Sequence, residues 1–256
     1  MWNSDALVDR LNEVWYRSGR NQVLIARAKA IRPLVELLRD GDENEKANAA
    51  GALWKLAGKA DNKRAIAQRG AIPFLVALLR SGNAKGKANA AGAFMELALN
   101  NAGNKVLIAG AEAILPLVEL LRSEDANGKA NAAGVLMSLA VNADNRITIA
   151  LAGAISLLVE LVKSGDANGK ARAAGALLNL AYNAGNRVAI AQEGAIPYLV
   201  SLACKNDTNG SINATKALKQ LSVNENNRGL ISRLFRNHLI VHHKLAAKVS
   251  KIKTFV

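Results

Sequence analysis

The sequence predicts an all-α solenoid of stacked three-helix units, on three observations. First, the stretch Lys46-Ala47-Asn48-Ala49-Ala50-Gly51-Ala52-Leu53 returns as KANAAGAF at 87–94, KANAAGVL at 129–136 and KARAAGAL at 170–177, with a worn copy at 211–218. The glycine column Gly51, Gly92, Gly134, Gly175 sets a period of 41–42 residues. Self-similarity at that spacing marks a chain whose units pack mainly on their neighbours. Second, each copy ends the same series of a short helix, a corner glycine, a second helix and a long third helix. Third, 50% of the 256 residues are hydrophobic but only 4% are aromatic. The core is therefore built from Ala, Leu, Ile and Val, which suit closely packed helices.

Taken in order, residues 4–17 read as a helix with Leu7, Val8, Leu11 and Val14 at helical spacing. Residues 1–20 are expected to form an N-terminal cap or partial repeat. Five units span 21–226, starting at Asn21, Asn62, Asn104, Asn145 and Asn186, and each Asn is expected to cap a short first helix. Gly70, Gly153 and Gly194 follow it and permit a left-handed corner. In the third unit Glu112 occupies that position, which predicts a distorted corner. The second helix, as in Ile72-Pro73-Phe74-Leu75, accepts proline in its first turn and ends at Ser-Gly in 81–82 and 164–165. The third helix carries the repeated motif, and Ala50, Leu53, Leu56 and Ala57 form its buried stripe. Residues 227–256 start like a sixth unit and lose register at Phe235, giving a degenerate repeat, a C-terminal cap and a basic tail.

This arrangement resembles the armadillo repeat family. The resemblance rests on Gly-Ala-Ile-Pro-x-Leu-Val-x-Leu-Leu-Arg-Ser-Gly at 70–82, on Asn-Ala-Ala-Gly-Ala at 89–93, and on five copies in phase. It implies a right-handed superhelix of three-helix repeats, with the third helices lining a concave groove that holds partners as extended peptides. Importin-type members carry Trp in the glycine column and Asn four residues later. Here the glycine column holds no Trp, and the second column reads Lys55, Glu96, Ser138, Asn179, Gln220. The repeats look closer to the catenin and vacuolar-scaffold type, and a nuclear-import role is disfavoured.

The resemblance implies a non-catalytic scaffold whose groove binds an extended segment of another protein. The candidate site follows the open side of the third helices. One ladder is Asn48, Asn89, Asn131, Arg172 and Asn213, continued by Lys216 at the worn glycine position. A carboxamide can donate to and accept from one peptide unit at once. An apolar shoulder of Trp54, Met95, Met137 and Leu178 runs beside it, followed one turn on by Leu99, Val141 and Tyr182. Such a stripe is more often inter-repeat core than binding site; where exposed, Trp54 and Tyr182 are the candidate hot spots, because aromatics dominate such sites. Charge along the groove is mixed, so a partner with acidic residues near its ends fits and a uniformly basic peptide does not.

Catalysis, cofactors and metals find no constellation. All three histidines lie at 238–243, Cys204 is the only cysteine, and no phosphate-binding glycine loop occurs. A lone cysteine suits a reducing compartment, the cytoplasm or the nucleus. Net charge is +14, and 227–256 holds seven Lys or Arg and no Asp or Glu, so half of the excess sits there. The tail's Lys244, Lys248, Lys251 and Lys253, among Leu245, Val249 and Ile252, pattern as a basic amphipathic helix. Contact of this tail with an anionic membrane or nucleic acid is the alternative reading.

Overall fold

The computed structural model describes residues 30–205 and 209–237. The expected N-terminal helix at 4–17, the start of the first unit, and the tail with its histidines lie outside the described residues.

Within them the order is helical throughout. The first unit contributes α1 (Ile31–Asp40) and α2 (Glu43–Leu56). The second comprises α3 (Ala60–Gln68), α4 (Ala71–Ser81) and α5 (Ala84–Ala98). The third comprises α6 (Ala102–Gly110), α7 (Ile114–Leu120) and α8 (Ala126–Leu139). The fourth comprises α9 (Ala143–Leu151), α10 (Ala154–Ser164) and α11 (Ala167–Leu180). The fifth comprises α12 (Ala184–Gln192), α13 (Ala195–Ala203) and α14 (Asn209–Leu221), and 225–237 is again helical.

The most extensive contacts join successive third helices, α2 to α5 to α8 to α11 to α14. Each third helix also packs on the second helix of its own unit. The result is two layers, third helices on one side and second helices on the other. The core lies between them: Leu34, Leu53, Leu56, Leu75, Phe94, Leu97, Leu117, Leu136 and Leu139 are fully buried. The predicted stripe Ala50, Leu53, Leu56 and Ala57 belongs to it. Lys46, Lys87, Lys129 and Lys170, one turn before it, are half-buried.

The corner glycines behave as expected. Gly70, Gly153 and Gly194 have φ of 74°, 80° and 75° and open α4, α10 and α13. In the third unit the expectation of a distorted corner is refined. Glu112 itself takes the left-handed conformation, φ 60°, and α7 begins two residues later. The turn is kept and the strain falls on a residue with a side chain.

The unit-opening asparagines are corrected. The helix caps stand three residues earlier, at Asn101, Asn142 and Asn183, whose Oδ1 atoms accept from the amides of Asn104, Asn145 and Asn186 at 2.9–3.0 Å. The expected caps donate instead. Asn62 Nδ2 reaches the Leu56 carbonyl (2.9 Å), Asn104 the Leu97 carbonyl (3.0 Å) and Asn145 the Leu139 carbonyl (3.1 Å). Asn186 reaches both Leu180 and Arg146 (3.2 Å each), and Asn227 both Leu221 and Arg187 (3.3 Å each). The last carbonyls of a third helix lack α-helical partners; besides turn amides such as those of Asn142 and Asn183, these carboxamides bond them and tie each first helix to the third helix before it.

Two stability measurements follow. Glu112→Gly relieves the left-handed strain and forfeits only the exposed Arg80–Glu112 pair at 3.2 Å; urea unfolding should show a gain of about 0.5–1 kcal/mol. Asn186→Ala takes one donor from the buried bond to Leu180 and one from the part-buried bond to Arg146, and should lose about 1–3 kcal/mol. A loss no greater than that of the simple cap deletion Asn183→Ala, about 1 kcal/mol, would contradict the bridging role.

Candidate functional site

The open side of the third-helix layer collects the predicted residues, but the repeats have already used several of them. In each mid-helix glycine column the missing side chain lets the next repeat approach. Asn89 Nδ2 donates to the Ala47 carbonyl (2.8 Å), Asn131 Nδ2 to Ala88 (3.2 Å) and Asn213 Nδ2 to Ala171 (2.9 Å). Each acceptor lies four residues before a column glycine: Gly51, Gly92 and Gly175. A Cβ on Gly51 would stand 2.9 Å from Asn89 Nδ2, and one on Gly175 3.0 Å from Asn213 Nδ2. Glycine therefore uncovers the second lone pair of a helix carbonyl, and the next repeat's carboxamide takes it.

The preceding repeat fills the other side of the same notch. The indole ring of Trp54 lies against Gly92, with Cε2 2.6 Å from the place of a Cβ. Met95 Sδ stands 3.0 Å from that place on Gly134, and the Met137 thioether lies against Gly175. The apolar shoulder is thus inter-repeat packing. Trp54 is half-buried in it and is no free hot spot.

The remaining ladder members divide. Asn131 is 4% exposed, and both ends of its carboxamide are occupied, since Arg172 Nη1 donates to its Oδ1 (2.7 Å). Its place as a groove ligand is corrected for that reason. Arg172 is half-buried there; burial pulls its pKa down, against the nearby carboxylates of Glu96 and Asp166, and the guanidinium stays a cation at neutral pH. Asn48 Oδ1 accepts from Lys85 Nζ (2.8 Å), and Asn179 Nδ2 donates to the Met137 carbonyl (2.8 Å). Gln220 Nε2 makes a long 3.5 Å bond to the Ala181 carbonyl. Glu96 is half-buried, its carboxylate 4.0 Å from Lys63 Nζ. Ser138 is half-buried, while Lys55, Lys216 and Tyr182 are exposed.

Sequence reasoning missed a basic column at the edge of this face. Lys63 Nζ donates to the Leu99 carbonyl (3.0 Å). Arg146 donates to the carbonyls of Ala140 (2.8 Å) and Val141 (2.9 Å), Arg187 to Ala181 (3.0 Å) and Arg228 to Ser222 (3.1 Å). Cations are favoured at these helix C-termini. The signal was available: Asn-Lys or Asn-Arg recurs at 62–63, 104–105, 145–146, 186–187 and 227–228.

Among the described residues no group of three His, Cys, Asp or Glu is placed to hold a metal, and burial pushes the Cys204 thiol pKa up. No single described helix is long and apolar enough to cross a membrane. The bent pair α9–α10 passes by length and composition, but Leu158, Leu161 and Val162 are core residues.

With the geometry in place, comparison with known proteins gives the family. The model for the Armadillo/beta-catenin-like repeat matches residues 20–58, 59–98 and 142–182. An engineered protein of known structure is 30% identical over 75% of this chain and 79% of its own, with a TM-score of 0.68. A designed armadillo repeat protein is 27% identical, covering 85% of this chain and 92% of its own, TM-score 0.76. Another, solved in complex with the peptide (KR)4, is 25% identical over 84% and 91%, TM-score 0.71. Comparison with curated proteins gives no match. By the family model and the designed armadillo neighbours, the chain is built of armadillo-type repeats.

The notch geometry sets a double-mutant cycle. Gly92→Ala forces a methyl against the Trp54 ring and should lose about 1–3 kcal/mol in urea unfolding, as overpacking does. In a Trp54→Ala background the same change should be neutral or stabilising, since alanine is the better helix former by about 0.5–1 kcal/mol. Equal losses in both backgrounds would detach the glycine column from inter-repeat packing.

Proposed function

We propose that the chain is a non-catalytic protein-interaction scaffold that holds an extended segment of a partner along the open face of its third helices. The observation that carries this reading is the state of the carboxamides. Asn89, Asn179 and Asn213 are half-exposed, and each gives one N–H to the neighbouring repeat. Each keeps its second N–H and its Oδ1, enough to pair with a peptide unit. Their anchoring fixes the side chain beforehand, which lowers the ordering cost of binding. The similarity to a designed armadillo protein in complex with a peptide supports the same reading.

The groove in this proposal consists of Asn89, Asn179, Asn213, Lys55, Ser138 and Lys216, without Asn131. Its mixed charge suits a segment with acidic residues near its ends, in a reducing compartment such as the cytoplasm or nucleus. The absence of tryptophan from the glycine column argues for the catenin or vacuolar-scaffold type over the importin type.

Panning a random peptide library on the full chain tests the proposal. Selected peptides should lose about tenfold in affinity, ~1.4 kcal/mol, on Asn179→Ser with Lys216→Ser, under conditions where the variant, about 1 kcal/mol less stable for its lost bond to the Met137 carbonyl, is still folded. Their binding should weaken only modestly between low and moderate salt. Binding that collapses with salt, and disappears on removal of 237–256 while the repeats stay folded, would assign the interaction to the basic tail.

A further inference from the structure

The exposed large apolar side chains recur at repeat spacing. Val141, Tyr182 and Val223 are 56%, 55% and 57% exposed and stand just beyond the C-terminal ends of α8, α11 and α14. On the first helices that follow, Ile147 and Val188 are exposed at matching positions. Single apolar residues on a surface need no explanation, but a row of them along one rim marks an interaction site.

Arginines alternate with this row. Arg146 bonds the carbonyls of Ala140 and Val141, and its guanidinium lies 5.4 Å from the centroid of the Tyr182 ring. Arg187 bonds the carbonyl of Ala181, beside Tyr182, and Arg228 that of Ser222, beside Val223. Most of the five N–H groups of each guanidinium are left for a ligand. An open cleft of about 470 Å³ lies at one step of the track, with Arg187, Val188 and Val223 in its wall. Glu225 lines the same cleft, so a carboxylate set against Arg187 shares that step with one acidic side chain, while Arg146 lies outside it.

We propose that this rim binds an extended acidic–apolar segment of a partner protein, its aliphatic side chains on Val141, Tyr182 and Val223 and its carboxylates on Arg146 and Arg187. The inference rests on the reading of the chain as a binder of extended segments and assigns that function a second track beside the third-helix face. Charge complementarity selects the occupant: the planar guanidinium fork matches a carboxylate, and a basic segment would be repelled. Packed helices are spaced about 10 Å apart, which about three residues of a polyproline-II segment span at ~3.1 Å each, with every third side chain on one face. The fitting pattern is therefore one apolar residue followed by two acidic ones.

The test is a fluorescence-anisotropy titration of the full chain with a labelled peptide of four Leu-Asp-Asp triplets. Saturable binding is expected, with none for the matching Leu-Lys-Lys peptide. Tyr182→Ser with Val141→Ser, both exposed positions, should weaken it about tenfold or more without changing the melting temperature. Tyr182→Phe should retain it, and Asn179→Ser with Lys216→Ser should leave it within about twofold. No binding of the acidic peptide, or equal affinity in the Tyr182–Val141 variant, overturns the rim proposal. If library-selected peptides still lose affinity on Asn179→Ser with Lys216→Ser, the third-helix reading stands while the rim fails.

Discussion

Cohesion of the array depends on a helix carbonyl made accessible by a glycine. A carbonyl inside an α-helix already accepts the amide four residues on, and the side chain of that residue normally shields its second lone pair. Gly51, Gly92 and Gly175 remove the shield, and Asn89, Asn131 and Asn213 bond the exposed oxygens of Ala47, Ala88 and Ala171. The notch then admits Trp54 at Gly92 and Met137 at Gly175 from the preceding repeat. A mid-helix glycine costs about 0.5–1 kcal/mol against alanine; here close approach of two long helices offsets it. Everything else in the fold, the layering included, follows from third helices held at this distance.

The same interaction constrains recognition. A side chain that stitches repeats together has part of its bonding capacity committed before any partner arrives, and Asn131 has both ends of its carboxamide committed. Cohesion and binding therefore draw on one face, and the surface left for a partner shifts outward, towards Lys216, Tyr182 and the ends of the third helices. Arginines hold those ends by bonding the last carbonyls.

Most of the fold was legible because a 41–42-residue period repeats each signal. The corner glycines, the buried stripe of Ala50, Leu53, Leu56 and Ala57, and the Ser-Gly stops could be read from local chemistry. The asparagine roles could not. Asn142 and Asn145 stand three residues apart on one helical turn, and only the position of the preceding helix decides which accepts an amide and which donates to a carbonyl. The ladder was legible only in part, for a related reason: helical spacing tells which residues share a face, but not how far the next repeat leans over it. Spacing left Trp54 either core or contact residue, and it is half-buried because Gly92, 38 residues later, makes room for it. Glu112 shows the limit of residue preference, since the surrounding turn imposed a left-handed conformation on it.

The middle of the array is built differently from its flanks. Its second helix, α7, is the shortest, its corner carries Glu112, and at Gly134 the carbonyl bond is replaced by Arg172 reaching Asn131. In a linear array, stability is a sum of unit and nearest-neighbour terms. Across Gly134 that neighbour term is carried by other bonds, Arg172 to Asn131 Oδ1 and Asn179 to the Met137 carbonyl. Because each term is local, one unit can be rebuilt in this way without disturbing the rest of the array.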